Sequence, residues 1–201
     1  MKLELRKDES KMTQTNQHYF YALELPQELK AELEETCGIL QEVLPFKRWV
    51  HHQDLHITLA FLGHANEEQL ALSMEKLHSG IQCPSFQLII DHLGVFGKSD
   101  APRIFWAGVK HEPLLHQARD EVYTACLDSG FKLETRPFKP HLTLARKWSN
   151  DFPFTTEMLE NENPFVKGEF VFQAENVVLY KTHLGKEPKY EAVAKFPLSS
   201  N

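Results

Sequence analysis

A short string occurs twice in this chain and constrains its fold more than any other feature. It is His56-Ile57-Thr58-Leu59-Ala60 in the first half and His141-Leu142-Thr143-Leu144-Ala145 in the second. Each copy lies in an apolar run of strand length, and the side chains of a strand alternate between its two faces. His56 and Thr58 therefore share one face while Ile57 and Leu59 take the other, and the second copy does the same. A polar pair on an apolar strand is costly to bury without partners. A shared cleft, where both pairs face each other and water or a ligand, removes that cost.

Two imidazoles across a cleft suit proton transfer in both directions. Free imidazole titrates near pH ~6.5, so one ring gives a proton while the other takes one. The threonine two residues along supplies a hydroxyl able to donate to an oxyanion. The remaining histidines do not suggest a metal. His51 and His52 are adjacent, so in an extended chain they point to opposite faces; His64 and His111 fall near turns; His92 and His116 have no carboxylate or cysteine at ligand spacing.

The 201 residues suffice for one large domain or two small lobes. A net charge of −6 argues against a general grip on long duplex nucleic acid, but not against binding a strand end or a nucleotide. The excess of base is local: Lys132, Arg136, Lys139, Arg146 and Lys147 surround the second motif, against Glu134 alone. Cys37, Cys83 and Cys126 are far apart and odd in number, which suggests neither a disulfide framework nor a zinc knuckle and fits a reducing, cytoplasmic setting. No run is long and apolar enough for a membrane span. Residues 1–17 are polar and read as a frayed tail, with Met12 as an alternative start, ahead of one domain over 18–201.

The order of elements is strand, helix, strand, then helix and hairpin, then helix and strands. His18 to Leu25 is a strand, and a helix opens at Pro26 with Leu29, Leu33, Cys37, Leu40 and Leu44 inside. Lys47–Val50 is a short strand. Asn66 caps a second helix whose inner face is Leu70, Met74, Leu77 and His78. A strand from Phe86 towards Phe96 pairs with Arg103–Val109 as a hairpin. Pro113 opens a third helix, and the second histidine strand runs from Phe138 to Ala145. Strands near 168–172, 177–180 and 190–196 finish the chain. Phe20, Tyr21, Phe61, Phe105 and Trp106 read as core. The class is α+β: two pseudo-symmetric lobes of mostly antiparallel sheet with outer helices around a central cleft.

With both motifs on strands, the chain resembles the two-histidine phosphoesterase superfamily, and within it the RNA 2′,3′-cyclic phosphodiesterases of the LigT or 2′-5′ RNA ligase family. The similarity rests on His18-Tyr19-Phe20-Tyr21-Ala22-Leu23, both histidine strings with Phe61-Leu62-Gly63 after the first, Phe105-Trp106-Ala107-Gly108-Val109, and Phe138-Lys139-Pro140 leading into the second. It covers about residues 18 to 197. It implies a bilobal fold and hydrolysis of a 2′,3′-cyclic phosphate to a 2′-phosphomonoester, without metal or other cofactor. It assigns His56 as general acid and His141 as general base, with Thr58, Thr143 and Arg146 binding phosphate. Arg146 is five residues beyond His141, so in a regular strand it faces away; it reaches the cleft only if the strand bends or bulges. Relatives often begin the first strand with Arg-x-Phe where this chain has His18. The implied partners are RNA ends or nucleoside 2′,3′-cyclic phosphates, acted on by a monomer away from membranes. Two alternatives use the same residues: a nucleotide- or phosphate-binding module without turnover, and joining of RNA ends through 2′-5′ linkages.

Overall fold

The structure is a computed structural model and describes residues 17–199. Residues 1–16, with the expected frayed tail and the Met12 start, lie outside the described residues. The chain runs β1 (His18–Glu24), α1 (Gln27–Val43), β2 (Phe46–Trp49), β3 (His56–His64), α2 (Glu67–Gly80), β4 (Phe86–Gly97), β5 (Pro102–Val109) and α3 (Pro113–Asp128). It continues with β6 (His141–Trp148), α4 (Thr156–Asn161), β7 (Phe170–Ala174), β8 (Asn176–Thr182) and β9 (Tyr190–Pro197). One nine-stranded sheet takes every strand, in the order β7-β4-β5-β6-β3-β1-β8-β9, with β2 added beside β6. All the strand pairs are antiparallel.

The order reads as a mirrored list about the β6–β3 contact. β3 and β6 carry the two histidine motifs; β1 and β5 flank them; the β8–β9 hairpin and the β4–β7 pair lie outside. The expected lobes are thus two halves of one sheet. They join through a single ladder pair between β3 and β6, Ile57 with Leu142, both fully buried.

The helices form where the apolar spacing placed them. In α1, Leu29, Leu33 and Leu40 are buried. In α2, the Asn66 side chain accepts from Gln69 N at 2.8 Å, closing the first turn. The buried face of α2 is Leu70, Ser73 and Leu77 rather than the expected set; Met74 is half-buried and His78 exposed. Ser73 is inside because the Tyr21 hydroxyl, also buried, meets its Oγ at 2.8 Å, and that Oγ bonds Leu70 O at 2.9 Å. α3 packs on β3 and α2 on α3. Strand β6 starts and ends about three residues later than expected, because Phe138–Pro140 have no ladder partner while Arg146 and Trp148 pair with β2.

A buried carboxylate fixes one end of the sheet. Asp54 is 4% exposed, and its two oxygens accept from Lys189 N at 3.0 and 2.9 Å and from Tyr190 N at 3.0 Å. This ties the β8–β9 turn to the segment that enters β3. Beside it Lys30, also buried, donates to Gln53 O at 2.9 Å. Replacing Asp54 with Ala strands those backbone donors, each worth roughly 1–3 kcal/mol when left unmade. Urea unfolding of Asp54→Ala is expected to show a loss of about 3 kcal/mol.

Candidate active site

The register of β3 against β6 fixes the site. With Ile57 opposite Leu142, an antiparallel ladder sets His56 across from Thr143 and Thr58 across from His141. All four side chains are half-buried on the face opposite the fully buried Ile57 and Leu142. The two motifs cross, and each histidine has the other copy's threonine as its neighbour.

A β-bulge follows each motif at the same place. Between Ala22–Thr58 and Tyr21–Ala60 the ladder skips Leu59; between Trp106–Thr143 and Phe105–Ala145 it skips Leu144. The extra residue turns two successive apolar side chains inward, so Leu59 and Ala60 are both buried, as are Leu144 and Ala145. The next residue then returns to the face of the histidines. In the second copy that residue is Arg146, which strand alternation alone would have aimed away. In the first copy it is Phe61, 56% exposed and therefore not part of the core where its apolar side chain had put it.

Each imidazole is oriented by a backbone carbonyl two residues before it. His56 Nδ1 lies 2.7 Å from Asp54 O, and His141 Nδ1 lies 2.7 Å from Lys139 O. A carbonyl only accepts, so both rings carry their proton on Nδ1 and leave Nε2 as the unprotonated nitrogen. His56 Nε2 meets Thr58 Oγ1 at 3.1 Å. Burial pushes the His56 imidazole down to about 4, against the opposing pull of the Asp54 carbonyl and carboxylate. Burial also lowers His141, and the nearby Arg146 charge adds to that, while the Lys139 carbonyl opposes it.

The surroundings of the two rings differ. His56 packs against Phe20, Tyr190 and Tyr180, with ring centroids at 4.7, 5.2 and 6.0 Å. His141 has Phe96 at 5.0 Å and Trp106 at 6.1 Å. The Trp106 indole lies against Gly94, where any Cβ would meet the ring at 2.2 Å. Thr58 and His141 open onto a cavity of about 1070 Å³ that also reaches Phe61, Phe96, Phe138 and Trp148.

Several of these residues carried no signal in the sequence. Arg48 of β2 stands directly opposite Arg146 in the ladder, and both are exposed; among the described residues neither makes an ion pair. Two opposed guanidinium groups suit an anion between them, since like charges facing each other across a ladder repel. His18, in the place of the usual arginine, packs against His64 at 4.6 Å and Phe61 at 5.9 Å. His51 and His52 do not diverge: Leu55 N and Asp54 N close a tight turn on them, and their rings stack at 4.5 Å. Among the described residues no three His, Cys, Asp or Glu side chains gather as metal ligands. No helix there is long and apolar enough to cross a membrane.

The geometry agrees with what known proteins resemble. The family model of the 2′-5′ RNA ligase superfamily matches residues 25–186. A protein of Geobacillus stearothermophilus named RNA 2′,3′-cyclic phosphodiesterase is 44% identical over 182 residues, covering 90% of this chain but 57% of that one. A protein of the same name from Bacillus subtilis is 35% identical over 185 residues, covering 90% of this chain and 97% of its own. The crystal structure of Escherichia coli LigT complexed with 3′-AMP superposes with a TM-score of 0.72 at 23% identity, over 92% of this chain and 99% of that one. That of a Thermus thermophilus protein, TT0787, does so with 0.70 at 24%, over 91% and 98%. These two likenesses bear on the fold, a curled, mostly antiparallel sheet with few helices. Crossed histidine motifs at the centre of such a sheet, a matching family model and two relatives above a third identity agree: the chain belongs to the 2′-5′ RNA ligase superfamily.

Proposed function

We propose that the protein is an RNA 2′,3′-cyclic phosphodiesterase that opens the cyclic phosphate to a 2′-phosphomonoester without a metal. The observation that carries this reading is the crossed pair of histidine motifs about Ile57–Leu142, with each imidazole held through Nδ1 by a backbone carbonyl so that Nε2 is its unprotonated nitrogen. The names of the two bacterial relatives support the same chemistry. The related alternative, joining RNA ends through 2′-5′ linkages, uses the same residues in reverse; a binder without turnover has no use for two oriented proton-transfer groups.

The step needs in-line attack of water on phosphorus and departure of the 3′-oxygen. His141 Nε2 takes the proton from water as the new P–O bond forms, and His56 Nε2 gives a proton to the 3′-oxygen as the old bond breaks. The pentacovalent centre gathers negative charge on its non-bridging oxygens. Thr58 and Thr143 donate to these, and Arg146 stands beside them; donors of this kind are worth about 2.7–4 kcal/mol each. The protein works as a monomer in the cytoplasm, a setting that its three free cysteines suit.

The direct test is incubation with nucleoside 2′,3′-cyclic monophosphates, resolving 2′- from 3′-phosphate products. Release of the 2′-phosphate is expected; tight binding without hydrolysis selects the binding module. His56→Ala and His141→Ala are each expected to lower kcat by about 10²–10⁴-fold while the thermal melt is retained. EDTA is expected to leave the rate unchanged.

The pH dependence has a definite sign. Turnover needs one ring protonated and the other neutral, and burial lowers both rings, His56 to about 4. In the free protein the singly protonated pair is most populated below the ordinary imidazole value of ~6.5, so kcat/KM is expected to be bell-shaped with its maximum on the acid side of that value. A bound phosphate anion favours the protonated rings, so the kcat profile is expected to extend to higher pH. A kcat/KM maximum above pH ~7 contradicts the burial of both rings.

A further inference from the structure

We infer that Asp54 is a positioning residue for the reaction: by clamping the β8–β9 turn it holds the Tyr190 ring against His56, shields one side of that imidazole from water and fixes its orientation. This rests on the phosphodiesterase reading above, in which His56 moves a proton at the leaving 3′-oxygen, and adds to it a residue outside the two motifs.

The clamp closes on a small apolar cluster beside His56. Phe20, Ala22, Val178 and Tyr180 are buried together, apart from the main core, and Tyr190 packs against them. Phe20 and Tyr180 are ladder partners whose rings stack at 5.4 Å. Tyr190 meets Phe20 edge-on at 4.9 Å and His56 edge-on at 5.2 Å, so its ring bridges the cluster and the imidazole.

Burial alone does not put Tyr190 there. It is the first residue of β9; residues 184–189 before it are exposed, and so are Glu191, Ala192 and Val193 after it. A hairpin end with so little buried surface opens easily. Beyond its ladder to Thr182, what fixes Tyr190 is the buried carboxylate, which accepts from the Lys189 and Tyr190 amides. The carbonyl of the same residue accepts from His56 Nδ1. Asp54 thus holds both rings of the edge-on pair, the imidazole by its backbone and the phenol ring by its side chain. Hydrogen bonds to a charged acceptor are the stronger kind, so the tether acts where burial is weak.

Other charged and titratable groups face His56 or Tyr190 from the neighbouring elements. Lys30 of α1 donates to Gln53 O. Glu24 of β1 stands opposite His56 in the ladder and pairs with Lys195 of β9 at 2.7 Å. Tyr180 comes from β8, and His141 and Arg146 from β6. Burial outweighs the charges in lowering His56: the Asp54 carboxylate favours its protonated form, while Lys30 and His141 oppose it. Opening the clamp therefore has a definite sign. Water returns to the ring, and the protonated form gains.

The test follows His56 of the free protein by NMR titration, beside kcat and KM on a nucleoside 2′,3′-cyclic monophosphate across pH. In the wild type His56 is expected to titrate near 4. Tyr190→Ala is expected to raise this by about one pH unit or more, toward the ordinary ~6.5, and to move the acid limb of kcat/KM up with it. Its kcat at the maximum is expected to fall about tenfold with KM within about twofold. Tyr190→Phe keeps the ring and is expected to match the wild type throughout. Asp54→Ala, assayed below its melting temperature, is expected to reproduce the kcat fall, and the double variant with Tyr190→Ala to fall no further. Wild-type titration of His56 in Tyr190→Ala overturns the inference. So does a Tyr190→Phe variant as impaired as Tyr190→Ala, which makes the hydroxyl the working group. Falls that multiply in the double variant overturn it too, because Asp54 then acts other than through Tyr190. If Asp54→Ala does not fold, the two Tyr190 variants decide. The titration needs no turnover, so a wild type that leaves the cyclic phosphate intact while His56 moves as expected refutes the phosphodiesterase reading and not the clamp.

Discussion

The site depends on how little β3 and β6 touch. One ladder pair, Ile57 with Leu142, joins two otherwise complete half-sheets. Both side chains are fully removed from water, a gain of about 1.5–3 kcal/mol for each. Because side chains alternate, burying these two forces their neighbours His56, Thr58, His141 and Thr143 onto the other face. A one-residue slip of either strand would bury that strand's histidine and threonine and expose its apolar residue, so the hydrophobic core specifies how the two motifs are arranged. With only one pair holding the strands together, the sheet curls around the motifs rather than lying flat across them.

The sequence displayed the repeat, the strands that carry it and most of the helices, because each rests on a periodicity local to a few turns. It did not display the bulges. Leu59-Ala60 and Leu144-Ala145 look like ordinary alternation broken by a small residue, and the skipped ladder position appears only once β1 and β5 are in place. That single feature turned Arg146 to the face of the histidines and took Phe61 out of the core. Ser73 was missed for a related reason: its place inside α2 follows from a tyrosine on a distant strand, not from helical spacing. The stacked His51 and His52 needed the tight turn at His52–Asp54, which nothing in their own identity announces.

Asymmetry is imposed on this symmetric frame by a few side chains. The carbonyl that orients each imidazole is a backbone group, so both halves keep it whatever residue supplies it. The side chain of that same residue is then free to differ. Asp54 turns inward and recruits a turn that seals His56 among three aromatic rings; Lys139 turns outward and leaves His141 open on one side. Burial drives the sealed ring down to about 4, and it also lowers the open, half-buried ring, to which the Arg146 charge adds. One tethering geometry thus holds two imidazoles in different surroundings.

Local charge also reconciles an acidic protein with the anionic ligand that its proposed function needs. At physiological ionic strength charges are screened over about 8 Å, so a phosphate in the cavity responds to the cations lining it and little to carboxylates on remote faces. The net charge of −6 then acts elsewhere, on encounters with duplex or with backbone lacking a reactive end. A fully basic surface would hold any RNA along its length. Basic residues lining one cavity act on an anion only where it enters that cavity.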